Sequence, residues 1–183
     1  CDGQADLVVA NTTGASVSIL LGCGNGVFKP KTDVATGSQP FSVAIGELNN
    51  DGKPDLAVTN SSGAVQVFPG TGTGAFGAPI SLPTGAGTSA VAIGDLNCDG
   101  NLDVVSANST ASNVSALRNN GAGGFAAATN FATGAQGTPG SVAIADVNND
   151  GKLDVIVVAE NNAPNPGVSV LIDTSACAYP DYQ

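Results

Sequence analysis

The chain repeats itself, and this limits its fold more than any other feature of the sequence. The pattern Asp-Gly-x-x-Asp runs from Asp2 to Asp6, Asp51 to Asp55, Asp99 to Asp103 and Asp150 to Asp154, at steps of 49, 48 and 51 residues. Thr36-Gly37, Thr84-Gly85 and Thr133-Gly134 keep the same register, as do Phe28, Phe76 and Phe125 after Gly-rich turns.

Within each period the apolar pattern predicts four strands. A first strand holds Val43-Ala44-Ile45, Val91-Ala92-Ile93 and Val142-Ala143-Ile144, and its mix of large and small residues suits an innermost position enclosed on both faces. A second follows the acidic loop at 7–10, 56–59, 102–106 and 153–158, and a third lies at 17–21, 65–68, 114–117 and 168–172. The fourth, near 32–35, 78–82 and 126–131, is more polar, as an outer edge strand should be. Four antiparallel strands in about 49 residues is the size of one β-propeller blade. The expected architecture is therefore all-β: one repeat domain over 1–183, with a partial blade at 1–37 and blades at 38–85, 86–134 and 135–183. About three and a half blades leave open faces, to be completed by further blades of a longer chain or by other copies of this one.

Charge is distributed in the same register. Of 15 acids, 11 fall in the four repeated loops, and the net charge is −10. That balance, with four Lys and one Arg, excludes a nucleic-acid partner. No apolar run approaches the roughly 20 residues of a membrane helix, so no transmembrane segment is expected.

The loop 95–103 places side-chain oxygens at its first, third, fifth and ninth positions, in Asp95, Asn97, Asp99 and Asp103. Gly100 permits a turn that aims the carbonyl of Asn101 inward. The loop 146–154 repeats this with Asp146, Asn148, Asp150, Lys152 and Asp154, and the loop 47–55 with Glu47, Asn49, Asp51, Lys53 and Asp55. The first copy retains only Asp2, Gln4 and Asp6. An all-oxygen set with three mutually repelling carboxylates calls for a hard cation, and Ca2+ suits a flexible cage better than Mg2+. The alternative is that Asn-Asp-Gly simply makes a tight hairpin turn with acids for solubility.

The run from Glu47 through Asn-Asp-Gly to Asp55-Leu-Ala-Val58, its later copies and the tetrapeptide Phe76-Gly77-Ala78-Pro79 resemble the FG-GAP or VCBS repeats of integrin α-subunit propellers and of many secreted microbial proteins. The resemblance covers nearly the whole chain and implies calcium at the hairpin between the first two strands of each blade. Glu47 departs from the usual Asp.

Four cysteines without any His fit two disulfides in an oxidising compartment. Cys1 with Cys23 and Cys98 with Cys177 is the preferred pairing, with free thiols, bridges between subunits and acylation of Cys1 left open. Asn11, Asn60, Asn108 and Asn113 each begin an N-glycosylation acceptor sequence. Without His, the familiar Ser or Cys nucleophile systems are missing, and Asp33, Glu160, Asp173 and Asp181 are scattered. The chain is therefore expected to be non-catalytic and extracellular, either secreted or on a cell surface. Its expected work is that of a structural or adhesion module, fibre subunits included, with a protein or glycan ligand. A lectin-like propeller, or a non-catalytic part of a larger secreted enzyme, is the alternative.

Overall fold

The computed structural model describes residues 3–134, 137–160 and 167–174. These form four antiparallel sheets in sequence order. The first is β1 (Leu7–Asn11), β2 (Ser16–Leu20) and β3 (Thr32–Ala35). The second is β4 (Pro40–Gly46), β5 (Asp55–Asn60), β6 (Ala64–Phe68) and β7 (Ile80–Pro83). The third repeats it as β8 (Thr88–Gly94), β9 (Asp103–Asn108), β10 (Asn113–Leu117) and β11 (Thr129–Ala132). The fourth contains β12 (Thr138–Ala145), β13 (Asp154–Glu160) and β14 (Gly167–Leu171). Each sheet is a simple meander, so strand order in space equals order in sequence, as in a propeller blade.

Blades stack face to face and bury a separate apolar core at each junction. Val17 and Ile19 meet Leu56, Val58 and Phe68 between the first two blades. Leu48, Ala57 and Val67 meet Val91, Val104 and Leu117 between the second and third, and Val105 and Val114 meet Val157 between the third and fourth. Because every blade except the outermost has a neighbour on both sides, β5 and β9 are buried at all six positions.

The second strand, not the first, is thus the one enclosed on both faces, which corrects the expectation from sequence. In the first strand, the mixture of large and small residues serves the junction between blades. A Cβ on Gly46 would lie 3.1 Å from Ile93 Cγ2, and one on Gly94 would lie 3.1 Å from Ile144 Cγ2. The isoleucine of each blade fills the space its predecessor leaves open. The first strands also share a bulge, at Pro40/Ser42, Thr88/Ala90 and Pro139/Ser141, that interrupts the ladder at the same place in each blade.

The junction cores carry the stability. Replacing Phe68, which is 2% exposed, in Phe68→Ala is expected to cost about 3–5 kcal/mol, whereas Phe41→Ala at a half-exposed site should cost under about 1 kcal/mol. Denaturant midpoints of the two variants test this.

Candidate metal loops

Each acidic loop joins the first strand of a blade to the second, and its shape is set by side-chain oxygens that accept from the loop's own N–H groups. The fourth position is left-handed in all three full copies, with φ of 57° at Asn50, 58° at Cys98 and 60° at Asn149. Asn tolerates this conformation well, so Cys98 is the unusual occupant. The N–H of the fifth residue then points at the first and third. Asp99 N–H donates to Asp95 Oδ1 (3.1 Å) and Asn97 Oδ1 (3.3 Å). Asp150 donates to Asp146 Oδ1 (3.3 Å) and Asn148 Oδ1 (2.9 Å), and Asp51 to Glu47 Oε1 (3.3 Å) and Asn49 Oδ1 (3.0 Å). The fifth residue accepts in turn from the seventh: Lys53, Asn101 and Lys152 N–H lie 3.0, 2.8 and 3.0 Å from the Oδ1 of Asp51, Asp99 and Asp150.

The first position separates the copies. Asp95 Oδ2 accepts from Gly100 N–H and Asp146 Oδ2 from Gly151 N–H, both at 2.9 Å. Glu47 carries an extra methylene, and its Oε2 is buried with no hydrogen-bond partner. A buried carboxylate oxygen without a donor is costly, and a cation is the simplest remedy.

The ninth position has a role that sequence reasoning missed. Asp55 Oδ2 accepts from Leu48 N–H (2.9 Å), while its Oδ1 accepts from Gly70 N–H (2.7 Å) beyond the third strand. Asp103 ties Leu96 N–H (3.0 Å) to Asn119 N–H (2.8 Å), and Asp154 ties Val147 N–H (3.1 Å) to Asp173 N–H (2.9 Å). These three acids are at most 1% exposed. Asp6 keeps half of the arrangement, accepting from Gly22 N–H at 2.8 Å. The signal was available: the first copy retains Asp6 although it lacks the first and third positions of the loop.

Burial, with a smaller push from Glu47 and Asp51, raises the Asp55 carboxyl above its ordinary value. Burial, then Asp99 and Asp95, does the same to Asp103. Asp51 is lowered, chiefly by the hydrogen bond from Lys53, whose Nζ sits 3.0 Å from its Oδ2. Lys152 Nζ stands 3.9 Å from Asp150 Oδ2. Asp146 is lowered first by its bond from Gly151.

Among the described residues, no three carboxylate or thiolate side chains converge into a preformed cage. The donor set nevertheless fits a hard cation: only oxygens are on offer, the loop acids press on one another's titration, and Glu47 Oε2 is unpartnered. Gln4 is exposed, and Asp2 lies outside the described residues.

Two expectations are corrected. Cys23 is an exposed free thiol, so the Cys1–Cys23 bridge is not formed. Its N–H donates to Val27 O (2.8 Å) in a tight turn closed by the Gly22–Phe28 bridge. Cys1 and Cys177 lie outside the described residues, and the expected Cys98–Cys177 pairing lies outside them as well. Asn60 and Asn108 are 1% and 0% exposed at the ends of β5 and β9, which closes them to a glycan in the folded chain. The Asn108 amide donates to Asn113 Oδ1 (2.7 Å) and Ser115 Oγ (2.8 Å). The half-buried Asn11 likewise donates to Ser16 and Ser18. Asn11 and Asn108 fasten strand ends together.

The sequence profile of the FG-GAP-like repeat matches three times, at residues 2–58, 47–106 and 99–157. No curated protein is significantly similar in sequence. Among solved structures, the BBS1N chain of a complex with ARL6DN aligns with a TM-score of 0.58 and 14% identity, over 93% of this chain and 49% of that one. A Photorhabdus luminescens Tc holotoxin pore aligns at 0.53 and 23% identity, over 93% of this chain and 8% of that one. An Agrocybe aegerita lectin that recognises non-reducing terminal N-acetylglucosamine aligns at 0.50 and 20% identity, over 91% and 52%. The chain spans about half or less of each neighbour, and these likenesses concern the fold alone.

Asp103→Ala leaves the buried N–H of Asn119 and the part-buried N–H of Leu96 without their acceptor, and a loss of about 3 kcal/mol or more is expected in denaturant unfolding. A loss under about 1 kcal/mol would mean that the carboxylate does not brace the blade.

Proposed function

The chain belongs to the FG-GAP-like repeat family, and on that premise we propose that it is a calcium-stiffened, non-catalytic β-propeller module working outside the cell as a structural or adhesion element. The observation that carries the calcium reading is Glu47 Oε2, a buried carboxylate oxygen with no donor at the first position of an oxygen-lined loop. Glu47, Asn49, Asp51 and Asp55 would hold one ion with the carbonyl of Lys53. Asp95, Asn97, Asp99 and Asp103 would hold a second with the carbonyl of Asn101, and Asp146, Asn148, Asp150 and Asp154 a third with that of Lys152. The bound ion supplies positive charge that offsets the burial, and the smaller push from neighbouring acids, that raise Asp55 and Asp103.

The side-chain oxygens of each loop already fix its backbone N–H groups, so an ion would stiffen an existing turn and add its binding free energy to folding. Four cysteines in a chain without His support an oxidising, extracellular setting. Outside the loops, Asp33 is committed to Ser18 and Lys31, which supports a non-catalytic reading. Leu7 and Val9 on one outer blade face, and Val158, Val168 and Val170 on the other, are exposed apolar residues of the kind that cover one another at the internal junctions. They support partnership with further blades of the same type or with another copy. The ligand of such a module is a protein or a glycan.

Calcium should raise the melting temperature of the chelator-treated protein. At a hundredfold excess over Kd, each occupied loop contributes about 2.7 kcal/mol. A melt that does not move between excess chelator and excess calcium sinks the reading.

A further inference from the structure

The repeats are not equivalent where one acidic loop meets the next. Asn50, at the fourth position of the loop 47–55, donates from Nδ2 to Asn101 Oδ1 (2.9 Å), at the seventh position of the loop 95–103. Beside this contact lies Asn119, 4% exposed, just past the third strand of the third blade. Its Nδ2 donates to Leu48 O (2.8 Å) in one loop and to Leu102 O (3.0 Å) in the other. Its backbone N–H donates to Asp103 Oδ1, and its Oδ1 accepts from Gly121 N–H (3.0 Å). Gly121 has no side chain where a Cβ would collide with Asn101 Oδ1.

One buried amide therefore pins both loops at residues adjacent to expected ligands: Leu48 lies between Glu47 and Asn49, and Leu102 between Asn101 and Asp103. The other junctions lack this chemistry. The residues equivalent to Asn119 in the first and second blades are Gly22 and Gly70, which have no side chain to donate. At the junction of the third and fourth blades, Cys98 replaces Asn50, Lys152 replaces Asn101 and Asp173 replaces Asn119, so the amide donors are gone.

We propose that the loops 47–55 and 95–103 form a coupled pair that fills with calcium together, with Asn119 and the Asn50–Asn101 bond as the positioning elements, while the loop 146–154 fills alone. The proposal rests on the calcium reading above. An ion at either loop fixes its backbone, and the shared amide contacts pass that order to the neighbour. The second ion then binds a site already partly ordered, and the coupling acts equally in both directions.

Amide NMR during a calcium chloride titration of the whole chain follows each loop through its own glycine: Gly52, Gly100 and Gly151. Gly52 and Gly100 should share one midpoint on a curve steeper than a single site, and Gly151 should follow a separate single-site curve. Asn119→Gly installs the residue that the other blades carry, and Asn50→Gly keeps the left-handed backbone while removing the amide. Each variant should abolish the steepness and weaken filling of the pair by about fivefold or more, with Gly151 unmoved. Independent filling of Gly52 and Gly100 in the unaltered chain, or variants that leave the steep shared curve intact, would overturn the coupling alone. No calcium-dependent shift at any of the three glycines would overturn the calcium reading and the coupling with it.

Discussion

A buried carboxylate holds the second, third and fourth blades together at the loop end. Asp55, Asp103 and Asp154 each join a loop N–H to an N–H beyond the third strand, so the turn between the first two strands cannot move independently of the strand after them. Burying a carboxylate is unfavourable, and two charge-assisted hydrogen bonds offset much of that cost. At Asp55 and Asp103 the offset is incomplete, because burial and neighbouring acids still raise the carboxyl. The group that fixes the blade is thus also the group that gives a cation something to stabilise.

Between blades, the joining principle is interdigitation reinforced by hydroxyl bonds. Ile93 enters the space beside Gly46 and Ile144 that beside Gly94, which lets adjacent first strands approach closely. Ser42 Oγ accepts from Val91 N–H (3.4 Å), Ser89 Oγ donates to Pro139 O (2.7 Å), and Ser169 Oγ donates to Thr133 O (2.5 Å), each across a junction. Small and hydroxylated residues suit this task because they satisfy buried polar groups without widening the gap.

Much of this was legible in the sequence, because a repeat reports its own register. The period, the strands and the loop turns follow from Asp-Gly-x-x-Asp and from apolar alternation, both local signals. What escaped depends on contacts between segments distant in sequence. The bracing role of the ninth-position acids stays hidden because the sequence does not show Gly70 or Asn119 folding back onto them. Asn60 and Asn108 read as glycan acceptors because a three-residue pattern carries no information on burial. The first strand read as the most enclosed because its side chains are small, whereas enclosure is decided by blades on both sides of the second strand. Cys23 read as half of a bridge from its position after a third strand, yet its turn holds the thiol in solvent.

Repetition also conceals function where copies diverge at a single contact. Averaging the loops gives one motif and suggests equivalent sites. Taken residue by residue, Glu47 leaves an oxygen unpartnered where Asp95 and Asp146 do not, and Asn119 bridges two loops where Gly22 and Gly70 have no side chain. Both departures fall at the same junction, between the second and third blades. If divergence were unrelated to the loops, it would have no reason to gather there. The loop with the least satisfied carboxylate is also one of the two that the Asn119 amide and the Asn50–Asn101 bond tie together.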